Sequence, residues 1–394
     1  MSKEKKVIVF GNNYWSSPYQ VGSHYFARNF AQDGWSVLYI SDPMNIGHLL
    51  LGRKGADTRA RNRERGAETE VDGLKAYVPR ALLSAMNAPL LDSAWLIRNW
   101  WRLSVPNIHH RIESIGFHDP DLLFFNSLHF NWALDAFPNA SSVFRIADWN
   151  PSMSELPRCA IDAQAQLVER AGLVVASSNA VITDFFSGHG DRIVNYLPNG
   201  LDLSLLHTGT PRPLEYAAVQ RGSKIAVYVG AIDDRFDMDL VVHAALTNQN
   251  VCFFIVGKGW QQRVNNRSCP SNLNFLGPRP FSQIGSYLEH ADMALMPQTR
   301  AYGATDYFNP LKLYQYMYYR LPVISTSWRE LELLSPPISI RNSVQDFAAA
   351  VGVCSIDPYV DVEAYSRFLQ GRTWGDSYNT LTGLLDDYAI AQNA

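Results

Sequence analysis

Short apolar runs alternate with longer stretches of mixed polarity along most of the chain. Residues 7–10 read VIVF and lead straight into Gly11. A polar loop follows, then a helix-spaced stretch over 22–32, then a second apolar run, VLYIS, at 37–41. Strand, glycine loop, helix and strand in that order open a βαβ unit of the nucleotide-holding kind. The scheme restarts at IAVYVG (225–230), passes a polar loop and a helical pattern over 237–246, and returns to a strand at VCFFIVG (251–257). No short-period repeat is visible, which argues against solenoids and propellers. The pattern predicts an α/β protein with two doubly wound, Rossmann-like domains.

Open parallel sheets bind ligands beyond the carboxyl ends of their strands. Two such sheets facing each other would bring two substrates together in an inter-domain cleft. Residues 207–223 are rich in Pro, Gly and polar side chains and lack periodicity, as a linker should. The expected division is 1–206, 207–372, and a C-terminal helix over 373–394 that returns to the first domain.

Composition narrows the classes. The chain has 394 residues, 18% of them charged and 47% apolar, which suits a sizeable core. Basic and acidic side chains number 34 and 37, a net charge of −3 that excludes a polycationic nucleic-acid coat. The four cysteines form no C-x-x-C pair, so a reducing, cytoplasmic setting is expected and a cysteine zinc site is not. No apolar run approaches ~20 residues, the length of a bilayer-crossing helix. An irregular insert at 53–70 carries six basic residues from Arg53 to Arg65; it reads as a solvated loop or as a surface for anionic lipid or phosphate.

The strongest local signal is TDYFNPLKLYQYMYYRLPVIST (305–326). Asn309 suits an N-cap and Pro310 the first helical position, predicting a helix from Pro310 to about Arg320. Lys312 then falls in the first turn, where a cation opposes the helix dipole at a cost of ~0.3–1 kcal/mol. Free N–H groups beside that ammonium make an anion site. Gln315, three residues on, projects from the same face. Arg235, in the loop after the strand at 225–230, reads as a further phosphate partner.

The ordered motifs resemble the GT-B nucleotide-sugar glycosyltransferases. They are Gly11, RIADW (145–149), LVVASS (173–178), LPNGLD (197–202), VYVGAIDDRFD (227–237), FIVGKG (254–259), FLGPRPF (275–281), HADMALMP (290–297) and NPLKLYQY (309–316). Within that fold the chain is similar to the glucuronosyltransferases of the GumK type and related exopolysaccharide enzymes. The resemblance implies a UDP-sugar donor, with glucuronate as the sugar, and no metal cofactor. It implies a glycan or polyprenyl-diphosphate-linked oligosaccharide as acceptor, and a peripheral position on the inner face of the membrane. Residue by residue, it implies that Lys312 meets the donor diphosphate and Gln315 the ribose region. The backbone from Gly230 to Ile232 would approach the phosphates and sugar, Arg279 would flank the uracil, and Gln298 would border the donor.

An unaided sugar hydroxyl is a poor nucleophile, and a positioned carboxylate adds roughly 10²–10⁴-fold as general base. SSVFRIADWN (141–150) reads as a buried strand ending at Arg145–Asp148, which puts Asp148 at a carboxyl edge. In the resembling enzymes the aspartate of this element is the base of an inverting displacement. Retaining relatives carry two glutamates eight positions apart; here those positions hold Tyr307, next to Asp306, and Gln315, which also favours inversion. Gly11 and His24 are the acceptor-side candidates. The segment 92–111, with Trp95, Trp100, Trp101 and several arginines, reads either as a helix lying in a lipid interface or as one packed on the first sheet. The alternatives to a transferase are a UDP-sugar epimerase or hydrolase of the same fold, or a non-catalytic nucleotide- or glycan-binding protein.

Overall fold

The computed structural model describes residues 4–17, 19–45, 65–149, 151, 153, 156–187, 192–259, 261, 269–299 and 303–392. Residues 53–64, most of the basic insert at 53–70, lie outside them. The chain divides into two compact units: Met1–Leu197 with Tyr378–Ala394, and Pro198–Ser377.

The first unit is built on an eight-stranded sheet. Its strands are β1 (Lys6–Gly11), β2 (Ser36–Ser41), β3 (Arg65–Glu68), β4 (Leu74–Tyr77), β5 (Leu122–Phe125), β6 (Ser141–Ile146), β7 (Leu173–Ala176) and β8 (Val194–Tyr196). Their order is β8-β7-β6-β5-β1-β2-β4-β3. All neighbours run parallel except β3 against β4. The central strands are buried on both faces, which is why VIVF and LLFF are continuous apolar runs without alternation. Helix α1 (Gly22–Gln32) lays Phe26 and Phe30 on Phe124, with ring centroids 5.1 and 6.2 Å apart.

The second unit holds β9 (Lys224–Val229), β10 (Val251–Val256), β11 (Leu273–Gly277), β12 (Met293–Met296), β13 (Val323–Ser325) and β14 (Ser339–Ile340). They are ordered β11-β10-β9-β12-β13-β14 and all run parallel. The order turns back between β9 and β12, so the carboxyl ends of these two strands form the crevice where such a sheet takes its ligand.

The expected linker proves to be an integral part of the second unit. Tyr216 is buried and donates to the Tyr287 carbonyl (3.0 Å), and the Glu289 carboxylate accepts from the N–H groups of Gly209 and Thr210. Polar composition here reflects backbone held by side chains, and the boundary falls earlier, after Leu197. The last helix runs over Trp374–Gln392, and from Tyr378 onward it belongs to the first unit. There the Tyr378 hydroxyl donates to Asp33 (2.9 Å), and the lack of a Cβ at Gly172 leaves room for the Tyr388 ring end.

Residues 92–111 do not form one amphipathic helix. Ala94–Asn99 is helical, Trp100–Leu103 tightens into a 3₁₀ turn, and a second helix spans Ile108–Ser114. Trp100 is fully buried with its Nε1–H on the His129 carbonyl, whereas Trp95 is exposed. No helix among the described residues is long and apolar enough to cross a membrane.

Candidate active site

The carboxyl edge of the second sheet is assembled around one close approach. Gly230 follows β9, and a Cβ on it would lie 2.1 Å from Lys312 Cε and 2.4 Å from Lys312 Nζ. Gly257, after β10, packs equally tightly: its Cβ would meet the Gly230 carbonyl oxygen at 1.7 Å. Both glycines are therefore needed to bring strand ends and lysine together. Helix α2 (Leu311–Tyr318) supplies Lys312. It is shorter than expected, ends at Tyr318, and is preceded by Pro310 at the cap position, with no capping side chain. Asn309 is not the cap. Its side chain accepts from Tyr314 Oη (3.1 Å) and donates to the buried Glu330, an alternative that leaves the helix start uncapped.

Two tyrosines fix this helix to the sheet. The Tyr316 hydroxyl accepts the Val229 N–H at 2.9 Å, tying α2 to the last residue of β9. The Tyr228 hydroxyl donates to the Ala231 carbonyl (2.7 Å) and accepts from Lys312 Nζ (3.0 Å), whose ammonium lies 4.8 Å from the Tyr228 ring centroid. Burial lowers the Lys312 pKa to about 8; the nearby Arg235 cation acts in the same direction and Asp233 against it. Arg235 pairs with Asp233, its Nε 3.0 Å from Oδ1, and its guanidinium stands 4.7 Å from the Phe308 ring. Burial pushes the Asp233 carboxyl up, yet its bonds to Arg235 hold it below the usual carboxylate range. Sequence reasoning missed Tyr228 and Tyr316. The signal for Tyr228 lay in its place next to the end of a buried strand, where an inward polar atom needs a partner.

The other expected donor residues sit at the ends of neighbouring strands. Gln298 lies two residues past β12, its N–H bonded to Thr326 Oγ1 (2.9 Å), and it bridges to Phe236. Gln315 is half-buried, one turn beyond Lys312. Ile232 departs from expectation: its side chain is in the core and its N–H donates to the Lys258 carbonyl (2.9 Å), so it presents no free donor. Arg279 follows β11 but is held edge-on, with Nη2 on Glu215 (2.8 Å), Nε on Tyr287 Oη (3.0 Å) and Nη1 on the Leu276 carbonyl (2.6 Å). What it can offer a base is the flat face of its guanidinium.

In the first unit, β6 ends at Ile146 and Asp148 lies two residues beyond it, half-buried. Arg145 beneath it is buried, donates to Asn126 Oδ1 (3.0 Å) and lies 5.5 Å from the Phe26 ring. Burial lowers the Arg145 pKa to about 10, and the Asp148 charge opposes that shift. A second polar group stands past the ends of β2 and β5, where Asp42 takes the Ser127 hydroxyl and lies 3.3 Å from His129 Nδ1. Sequence reasoning did not foresee it.

The two acceptor-side candidates are corrected. His24 is fully buried; its Nδ1 accepts from the Val21 N–H (3.2 Å) and its Nε2 is 3.1 Å from the Tyr14 carbonyl, so neither nitrogen is left for a ligand. Burial lowers its pKa to about 4. Gly11 is a packing glycine: a Cβ there would meet the Tyr39 hydroxyl at 2.1 Å.

Two family models and several solved structures match the chain. Residues 9–177 match the family model of the glucuronosyltransferase GumK N-terminal domain, and residues 223–354 match that of the group 1 glycosyl transferases. Sucrose-phosphate synthase from Thermosynechococcus elongatus superposes with a TM-score of 0.72 at 13% identity, covering 98% of this chain and 100% of that one. HepE from Anabaena, solved with UDP and glucose, gives 0.68 at 15% identity over 98% and 100%. WaaG, a glycosyltransferase involved in lipopolysaccharide biosynthesis, gives 0.54 at 10% identity over 98% and 97%. No curated protein matches the chain. With its two Rossmann-like sheets and these matches, the chain is an enzyme, a glycosyltransferase of the GT-B fold. Its first unit is similar to the N-terminal domain of the GumK glucuronosyltransferases.

Proposed function

We propose that the protein transfers a sugar from a UDP-sugar to a glycan or polyprenyl-diphosphate-linked oligosaccharide, with inversion at the anomeric carbon and no metal cofactor. The observation that carries this reading is Lys312, held by Tyr228 against Gly230 at the switch point of the second sheet. An ammonium in a helix's first turn suits a diphosphate, and Gln315 and Gln298 border the same edge. HepE, a neighbour in fold, was solved with UDP and with UDP-glucose. Glucuronate as the sugar rests on the GumK-type match over residues 9–177.

In this reading Asp148 is the general base. The acceptor oxygen bonds to the anomeric carbon as its proton passes to the Asp148 carboxylate, and the bond from that carbon to the diphosphate oxygen breaks, releasing UDP. The Asp148 charge interacts favourably with the buried Arg145 guanidinium. Exposed Leu82, Leu83, Leu90, Trp95 and Val105 suit peripheral attachment to a membrane surface. Flotation with anionic liposomes tests that part; protein left wholly in the unbound fraction counts against it. The donor reading is tested by calorimetric titration with UDP. Lys312→Ala should weaken binding at least ~10-fold, the loss of one charge-assisted hydrogen bond, and unchanged affinity would refute the assignment.

A further inference from the structure

The helical face of the first unit carries a cavity of about 670 Å³, walled in part by Arg98, Trp101, Arg102, Asn131, Trp132 and Arg170. Arg170 ends the helix Arg158–Arg170, just before β7 begins. That places it at the amino edge of the sheet, the opposite end from Asp148. We propose that this cavity binds an acidic saccharide, a glycan segment bearing a carboxylate. The inference does not rest on the donor-site reading.

Charge is the first argument. Arg170 is paired with Asp135, but neither Arg98 nor Arg102 has an ion-pair partner among the described residues. Two guanidiniums with no acidic partner among the described residues, beside one cavity, favour an anion, and a carboxylate fits their forked donors. The second argument is shape. Trp101 stacks on Trp132, with centroids 5.2 Å apart and planes 22° from parallel, while the Arg102 guanidinium lies 5.0 Å from the Trp101 ring. Indole surface and a guanidinium over it give this wall both apolar area and positive charge, as a sugar with an apolar face and a charged edge requires. The third argument is unmet hydrogen bonding. Asn131 and Trp132 are 3% and 5% exposed, and Asn131 Oδ1 and Trp132 Nε1 are buried with no hydrogen-bond partner. Native interiors rarely leave such atoms alone. Both atoms are closed to a water-sized probe, so it is a turn of either side chain toward the cavity that would offer a hydroxyl-rich ligand an acceptor and a donor. The volume falls in the roughly 300–1,000 Å³ range of small-molecule sites.

The test is calorimetry on the full chain with a glucuronate-containing tetrasaccharide, its carboxyl-reduced neutral counterpart, inorganic phosphate and phosphatidylglycerol vesicles, each with and without saturating UDP. The acidic tetrasaccharide should bind equally well in both conditions and change tryptophan fluorescence. The neutral form should bind at least ~10-fold more weakly. Arg98→Ala/Arg102→Ala should lose the acidic sugar by a similar factor while retaining its affinity for UDP, and Trp101→Ala should weaken both sugars. The proposal is overturned if the acidic sugar does not bind or if the arginine double variant binds it unchanged. It is equally overturned if phosphate binds as tightly as the sugar, or if only the vesicles bind. Loss of UDP binding with the sugar still bound would refute the donor reading and leave this one standing.

Discussion

Lys312 fills the space that a side chain at residue 230 would need: a Cβ on Gly230 would lie 2.4 Å from its Nζ. The flexible lysine end can yield to a methyl at residue 230, but Gly230 also holds φ +153°, a conformation that side chains rarely adopt. Gly230→Ala is therefore expected to lower the unfolding midpoint and, by displacing the ammonium, to lower UDP affinity about tenfold. A large loss of stability with normal UDP affinity would show the glycine serves packing alone.

The ammonium of Lys312 has its own pH signature. Its pKa is about 8 in the folded protein, against an ordinary 10.5, because it is buried beside Arg235. The charged form that attracts a diphosphate therefore drains away as pH rises through 8. UDP affinity should drop between pH 7 and pH 9, with proton uptake on binding in that interval. Folding responds with the opposite sign: the unfolded chain binds this proton more tightly, so the ligand-free protein gains stability from this group between pH 8 and 10.5. Titration in buffers of different ionisation enthalpy reads the proton uptake directly; no uptake at pH 8 contradicts the prediction.

Asp148→Asn removes the base without disturbing the second unit. Transfer should fall by roughly 10²–10⁴-fold, with UDP affinity unchanged. Single-turnover rates with a radiolabelled donor measure this, and a variant that turns over normally removes Asp148 from the chemistry. In that event the pair of Asp42 and His129, 3.3 Å apart past the ends of β2 and β5, is the next group to test.

Both sheets and the strand–glycine–helix opening of each unit were legible because buried parallel strands are continuous apolar runs, which periodicity detects. Lys312 and Gln315 were legible because helix geometry places residues three apart on one face. Three things were not. Tyr228 and Tyr316 act through contacts separated by more than eighty residues, to which a local pattern is blind. His24 looked like a site residue beside a loop, but burial and two backbone partners make it a structural one. The polar stretch 207–223 looked like a linker because composition does not distinguish exposed backbone from backbone bonded to Glu289 and Ser286.

The buried His24 predicts an acid-sensitive first unit. Its pKa is about 4 in the folded state, lowered by burial from 6.5, so the unfolded chain takes up the proton first. Its contribution is complete above pH 6.5 and is lost as pH falls toward 4. Between pH 7 and pH 5 it should account for about 2 kcal/mol of lost stability. Urea denaturation at both pH values should give a smaller difference for His24→Phe than for wild type; equal differences would rule the histidine out.

The most direct measurement is a crystal structure of the protein with UDP. A diphosphate oxygen should lie within hydrogen-bonding distance of Lys312 Nζ, at the crevice between the carboxyl ends of β9 and β12, with the uracil against the face of Arg279. A nucleotide seated elsewhere, with Lys312 still turned only to Tyr228, would contradict that placement.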